Sequence, residues 1–229
     1  MVSWCTSPSK SHIQYWAQDL HTVIIKIPDD RCDTTIYERF TKINTVSFDG
    51  KPVHMQKAET TISTDGSKTE FGVGAGFAIY HKNKRIHTES IRMPDNATVF
   101  QAEIEAISHA CQHAIANMHQ LNMKYIKILS DSQAAIKALN QPRITSKLVL
   151  TALEFMETLA TQVRHLTLAW IKVHVGIEGN EQADLAAKEG ALGGSHLKET
   201  QTLMLWKVAK GKIEEYTTAK WKQPSLLPI

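Results

Sequence analysis

The chain has 229 residues, 42% of them hydrophobic and 21% charged, which suits one medium-sized domain with a buried core and flanking segments. No run approaches the ~18 consecutive apolar residues of a membrane span; Val23-Ile24-Ile25 is far too short for a signal peptide, so the expectation is an intracellular protein, cytoplasmic or nuclear, with no membrane partner. The net charge of +3 is weak evidence for a nucleic-acid partner, because residues 58–192 carry −1 and residues 193–229 carry +3.

Cys5, Cys32 and Cys111 are odd in number and widely spaced, a pattern of neither a disulfide framework nor a zinc knuckle. Three zones follow. Residues 1–57 form an N-terminal extension or connecting region of unknown role, with helical fragments near Ile13–Leu20 and Thr35–Ile43 broken by Pro28-Asp29-Asp30 and Asp49-Gly50. Residues 58–192 form the patterned core, and 193–229 a basic tail.

Within the core, Thr60–Asp65 reads as a strand ended by Gly66-Ser67-Lys68. Gly72, Gly74 and Gly76 lead into a second strand, Gly76–His81, and an Asn83-Lys84 turn into a third, Ile86–Met93. A long helix over Val99–Met118 follows, with Ile104, Ile107, Cys111, Ala114, Ile115 and Met118 at 3.6-residue spacing. Tyr125–Leu129 is a buried-type strand. Helices over Gln133–Leu139 and Ser146–Thr161 precede a fifth strand, His165–Val173. A last core helix opens at Gly179-Asn180 and runs through Glu189, closed by Gly190 and Gly193-Gly194. The order β-β-β-α-β-α-α-β-α implies an α/β fold, a mixed sheet with helices on both faces. Beyond it, Lys198–Trp221 is a basic segment of helical pattern, with Trp206, Tyr216 and Trp221 interleaved among lysines; it suits a nucleic-acid surface no better than a helix that docks a partner domain or packs against this core.

Four carboxylates stand where carboxylates are unusual unless needed. Asp65 and Asp131 each end an apolar strand, Glu103 lies beside the core stripe of the long helix, and Asp184 is in the first turns of the last helix. Each alone has a duller explanation as a turn or cap residue; four on the right elements point to a site. If the two strands are central neighbours, Asp65 and Asp131 lie side by side at the carboxyl end of the sheet, where α/β sheets bind ligands. Carboxylates crowded in one small volume need cations to stay ionised, and hard oxygen donors select Mg²⁺ or Mn²⁺. Two such ions about 3.5–4 Å apart activate a water and stabilise the leaving oxygen in a phosphodiester displacement.

Four segments, Thr64-Asp65-Gly66-Ser67, Gln101-Ala102-Glu103-Ile104-Glu105-Ala106, Ser130-Asp131-Ser132-Gln133-Ala134-Ala135 and the run His174 to Asp184 containing Gly179-Asn180-Glu181-Gln182-Ala183-Asp184, resemble the signature segments of type 1 ribonuclease H. The resemblance implies that fold, with five strands in the order 3-2-1-4-5, and an endonuclease that hydrolyses the RNA strand of an RNA–DNA hybrid. It implies Asp65, Glu103, Asp131 and Asp184 as holders of two Mg²⁺ ions, for which Mn²⁺ substitutes, and His174 as the mobile histidine that assists proton movement. Gly66, Ser67, Gln101, Ser132, Gln133 and Asn180 become candidate substrate contacts.

The pattern departs from cellular relatives in two places. Val99 and Phe100 stand where those enzymes carry polar residues that contact the minor groove, and Asn140–Ser146 leaves no room for a basic protruding helix. Phe100 is better read as core than as a stacking platform. Weak substrate affinity follows for a core of net charge −1, because phosphate neutralisation supplies much of nucleic-acid binding. Val99-Phe100-Gln101-Ala102-Glu103 and the compact core look like ribonuclease H domains of non-LTR retrotransposon polyproteins, where a reverse transcriptase in cis supplies affinity. The rival readings are a catalytically silent nucleic-acid-binding or scaffolding module, a DNA-cutting nuclease on the same fold, and a cellular housekeeping enzyme. His109 and His113, one turn apart with Glu105 one turn before, have metal-ligand spacing; lying opposite the apolar stripe, they are expected on a solvated polar face.

Overall fold

The computed structural model describes residues 44–45, 58–172, 177–193, 197, 199–200 and 206–222. The N-terminal helical fragments, along with His174, lie outside the described residues. The chain divides into two compact units, Arg31–Thr202 and a second made of Met1–Asp30 with Leu203–Ile229. Among the described residues no helix is long and apolar enough to cross a membrane.

Among its described residues the larger unit holds six strands and four helices; the strands are β1 (Asn44–Thr45), β2 (Thr60–Thr69), β3 (Gly72–His81), β4 (Lys84–Met93), β5 (Tyr125–Ser130) and β6 (His165–Trp170), in one sheet ordered β1-β6-β5-β2-β3-β4. The five strands read from sequence take the order 3-2-1-4-5, and β1 adds a two-residue parallel edge beside β6 through Asn44↔Thr167 and Thr45↔Leu168. The helices are α1 (Val99–Leu121), α2 (Gln133–Leu139), α3 (Lys147–Gln162) and α4 (Glu178–Leu192).

Several boundaries differ from expectation. Both strands of the first hairpin are longer, β2 running to Thr69 and β3 starting at Gly72, so the three glycines lie within the strand instead of ahead of it. Their lack of side chains serves packing: a Cβ on Gly74 or Gly76 would collide with the backbone of α4 at Ala187, Gly190 and Ala191, or at Ala183, Ala186 and Ala187. The second hairpin turns on Lys82-Asn83, both at positive φ (50° and 64°), the pairing that a tight two-residue turn between twisted strands demands. β6 stops at Trp170, where its ladder with β5 ends at Ser130↔Trp170, short of the expected Val173.

The two faces of the sheet are built from different residues. On one, Ile62, Phe77, Ile79 and Ile128 meet Ile104, Ile107 and Cys111 of α1, with Leu153, Met156 and Leu159 of α3 behind it. Residues 101–104 and 106–108 of α1 are all buried, so this helix is covered on more than the single stripe its periodicity suggested. Burial pushes the Cys111 thiol up to about 12, as befits a small core residue. Phe100 is partly buried against this core. On the other face the middle of α4 lies directly on Gly74 and Gly76, with Gly190 so close that a Cβ there would strike the Ile91 carbonyl.

The helix face of His109 and His113 is not solvated as expected. Both rings are half-buried, and both lie near Glu89 of β4. The tail is helical over Trp206–Lys222 (α5); it begins later than Lys198 because Glu199 instead bridges to Arg92 in parallel. Within α5, Lys210 and Glu214 form an i,i+4 ion pair at 3.7 Å.

Candidate active site

The parallel ladder between β2 and β5 runs from Thr60↔Ile126 to Thr64↔Ser130. Asp65 and Asp131 are therefore the next residues on two hydrogen-bonded central neighbours, side by side where that ladder ends, Asp131 just past the end of β5 and Asp65 midway along β2, which continues to Thr69 beside β3 alone. Glu103 arrives from the second turn of α1. Asp65, Glu103 and Asp131 each present a carboxylate oxygen within 4.8 Å of the other two.

Local chemistry fixes each of them. Gly66 brings β2 against α1: a Cβ there would sit 2.6 Å from the Glu103 nitrogen, and the Gly66 amide lies close enough to pull down on the carboxyls of both Asp65 and Glu103 against their burial. The start of α1 is set by a reciprocal cap. The Gln101 amide donates to Thr98 Oγ1 at 3.2 Å, and Gln101 Oε1 accepts from the Thr98 amide at 3.0 Å. Asp131 is tethered through its carbonyl, which accepts from Trp170 Nε1 at 3.0 Å. Ser132 then caps α2, its hydroxyl accepting from the Ala135 amide at 3.3 Å.

Electrostatics records the crowding. Burial, then the charges of Asp131 and Asp184, raise Asp65 from 3.8 to about 7. Burial, then Asp65 and Asp131, raise Glu103 from 4.5 to about 9. Glu103 Oε2 is buried with no hydrogen-bond partner among the described residues. A buried carboxylate oxygen left unsatisfied is costly, and here it belongs to a cluster of oxygen donors of the kind that divalent cations bind. The residues fit a hard metal ion.

Asp184 reaches this cluster from α4 on the opposite face. It lies outside the set of three, close enough for its charge to act on Asp65. Its carboxylate is about one-third exposed and pairs with Lys188 Nζ at 2.6 Å one turn along the helix. The position of α4 depends on Gly76, which pairs with Asp65 across the sheet and packs under Ala183 and Ala187. Lys188 also acts electrostatically on Asp65.

The expected substrate contacts are dispersed. Gly66 and Ser67 are half-buried on β2, beside the cluster in sequence, and Gln133 is exposed at the start of α2. Gln101, in contrast, is 1% exposed and occupied in the helix cap. Asn180 is on the first turn of α4 with Oδ1 buried and without a partner among the described residues. Lys188, Trp170 and the Thr98–Gln101 cap were not anticipated. Two of these had a local signal: Thr-x-x-Gln before an apolar helix is a known N-terminal signature, and Asp184 with Lys188 is an i,i+4 charge pair on a helix; Trp170 had none.

The RNase H family model matches residues 57–192. A search of curated proteins finds no match. Among solved structures, RNase H1 of the halophilic archaeon Halobacterium salinarum is 20% identical, over 57% of this chain and 96% of that one, with a TM-score of 0.44. The N-terminal RNase H domain of a Mycobacterium tuberculosis protein is 18% identical, over 58% and 98%, with a TM-score of 0.45. The prototype foamy virus protease–reverse transcriptase is 20% identical, over 65% of this chain but only 23% of the viral one, with a TM-score of 0.48. With the model matched over more than half its length, and with the strand order that the motifs implied, this chain belongs to the RNase H family.

Proposed function

We propose that the chain is an endonuclease that hydrolyses the RNA strand of RNA–DNA hybrids with two divalent metal ions, Mg²⁺ by preference and Mn²⁺ as substitute. The observation that carries this reading is the convergence of Asp65, Glu103 and Asp131 within 4.8 Å, with a buried Glu103 oxygen left for a cation. Asp65, Glu103 and Asp131 would hold metal from the inside and Asp184 from the α4 side. The ions, when bound, supply a hydroxide-like nucleophile and charge neutralisation at the scissile phosphate.

The chain's own groups prepare that chemistry. The Gly66 amide orients the Asp65 and Glu103 carboxylates. Trp170 fixes the backbone of Asp131, and the small-residue seat of α4 sets the approach of Asp184. His174, outside the described residues, is proposed as the proton-moving group. Gly66, Ser67, Ser132, Gln133 and Asn180 are proposed as substrate contacts.

The same proposal places the domain in retroelement reverse transcription. Val99 is 42% exposed at the start of α1, where a polar minor-groove contact would otherwise stand, and the core is net −1. Both call for a reverse transcriptase domain in cis to supply affinity. Residues 1–57 would be a connecting region and 193–229 a basic downstream tail flanking the 58–192 catalytic domain.

The test is cleavage of a labelled RNA–DNA hybrid beside single-stranded RNA, double-stranded RNA and DNA duplex, with Asp131→Asn as control. The expected result is metal-dependent cutting of the hybrid alone, abolished in the variant. No cutting by folded protein at low salt with Mn²⁺, alone or joined to a reverse transcriptase, would overturn the nuclease reading.

A further inference from the structure

On the same sheet face as the aliphatic core, near the outer edge of the sheet, a second cluster of metal-ligating groups stands away from the carboxylates. β4 is the edge strand, and His87 and Glu89, two residues apart, share one of its faces. His113 comes from α1, ten residues beyond Glu103, which is about 15 Å along a helix axis. One ligating atom from each of His87, Glu89 and His113 lies within 4.8 Å of the other two.

We infer that His87, Glu89 and His113 form a second divalent-metal site, of zinc-binding chemistry, that fastens edge strand β4 to helix α1. Two imidazole nitrogens and one carboxylate oxygen are a donor set of borderline metals such as zinc, with water as fourth ligand; Mg²⁺ prefers oxygen throughout. The inference does not depend on the nuclease reading.

The geometry supports a site in three ways. His87 and His113 stack at 3.7 Å between ring centroids with 22° between planes. The pair brings His87 Nε2 and His113 Nδ1 to the same carboxylate oxygen of Glu89.

Glu89 is divided between its oxygens. Oε2 faces His87 Nε2 at 3.3 Å and His113 Nδ1 at 3.9 Å, while Oε1 faces His109 Nδ1 at 3.7 Å. His109 in turn points Nε2 at Glu105, 3.9 Å away. That leaves Oε2 for the metal and gives Glu89 an outer partner that orients it.

Phe77, directly across from Glu89 on β3, packs its ring 5.6 Å from His87 and 5.9 Å from His113, so both ligands rest on a fixed apolar wall. An open depression lined by Arg85, Ile86, His87 and Thr88 leaves His87 reachable from solvent.

The test uses the full chain stripped of metal. Zn²⁺ affinity is measured by competition with a chromophoric chelator, and Co²⁺ is added in parallel to read coordination from its visible absorption. Asp131→Asn controls for the carboxylate cluster, and His113→Gln and Glu89→Gln test the site, with circular dichroism to establish folding. Expected are one tight Zn²⁺ per chain, an intense four-coordinate Co²⁺ spectrum, and both retained in Asp131→Asn. Each ligand variant should lose about 10–100-fold in affinity, on the scale seen when groups around a metal are removed. If His113→Gln does not fold, His87→Gln replaces it. Undetectable Zn²⁺ binding, affinity unchanged in the ligand variants, or loss of the Zn²⁺ only in Asp131→Asn would overturn the inference.

Discussion

The two faces of the sheet deliver carboxylates to the same place by opposite means. On the α1 face, Glu103 is 5% exposed, its carboxyl raised to about 9 and with one oxygen unpartnered among the described residues. On the α4 face, Asp184 is held by backbone-to-backbone contact through Gly74, Gly76 and alanines, stays about one-third exposed, and carries its own cation in Lys188. Deep burial fixes a ligand that is unstable without metal. Shallow placement leaves one that is already satisfied and adjustable. The inner carboxylate should therefore govern whether metal binds, and the outer one should modulate it.

The largest expected effect separates the two ligands. Glu103→Gln should lower hybrid cleavage by about 10²–10³-fold, the scale on which removing one preorganised charge-stabilising group acts, while raising the melting temperature of the metal-free protein. The stabilisation arises because the Glu103 carboxyl, held up to about 9, must keep a proton in the folded metal-free chain that it gives up in the unfolded one, whereas Gln is neutral in both. Asp184→Asn should lower cleavage less and leave the metal-free melting temperature nearly unchanged. Equal stability effects in paired thermal melts would erase the distinction between the faces.

Packing gives the next effect. Gly76→Val inserts a branched side chain where even a Cβ meets the backbone of Ala183, Ala186 and Ala187. Overpacking of this kind costs about 1–3 kcal/mol or more, and it displaces Asp184, so cleavage should fall beyond what the lost stability explains. Leu153→Ala on the other face, 1% exposed, should cost about 2–5 kcal/mol through a cavity yet leave the specific activity of the folded fraction intact. Denaturant unfolding combined with activity per folded molecule checks both. A Gly76→Val protein of normal specific activity would show that α4 does not set the site.

That asymmetry also explains what the sequence could and could not disclose. The aliphatic face has a periodic signature, so α1, α3 and the central strands were legible, as were Asp65 and Asp131 at the ends of two apolar runs. The α4 face has no such signature. Gly72 and Gly74 fall ahead of the expected strand because glycine ordinarily weakens strands, and only the close approach of α4 shows that Gly74 and Gly76 serve inside one. β1 escaped notice because two residues, Asn44 and Thr45, leave no alternation to detect. Gln101 resembles a substrate contact through its motif neighbours Ala102 and Glu103, whereas its capping partner Thr98 lies three residues upstream, outside that motif. His109 and His113 seemed solvated because one helix's pattern cannot show that the β4 side chain of Glu89 lies over them.

A third effect is one of pH. Asp65 and Glu103 rise to about 7 and about 9 in the folded chain, above unfolded values near ~4. Between those limits the folded state binds more protons than the unfolded, so stability falls as pH rises. Their destabilisation is absent below about pH 4, grows through neutrality, and is complete above pH 9. In EDTA the chain should therefore melt at lower temperature at pH 8 than at pH 5.5, Mg²⁺ should restore the loss at pH 8 only, and Glu103→Gln should flatten the profile. A profile equally steep in that variant would locate the titrating groups elsewhere.

The smallest effect probes the outer ligand. Lys188 pairs with Asp184 at 2.6 Å on an exposed helix surface, where such pairs contribute about 0–1 kcal/mol. Metal binding at Asp184 competes with that ammonium for the same oxygen. Lys188→Met should accordingly leave the melting temperature almost unchanged and lower the Mg²⁺ concentration for half-maximal cleavage by roughly 2–5-fold, the equivalent of that energy. The reverse shift, a higher Mg²⁺ requirement, would mean that Lys188 holds Asp184 in position for metal. Asp184 would then depend on its neighbour for preorganisation, as Glu103 depends on burial.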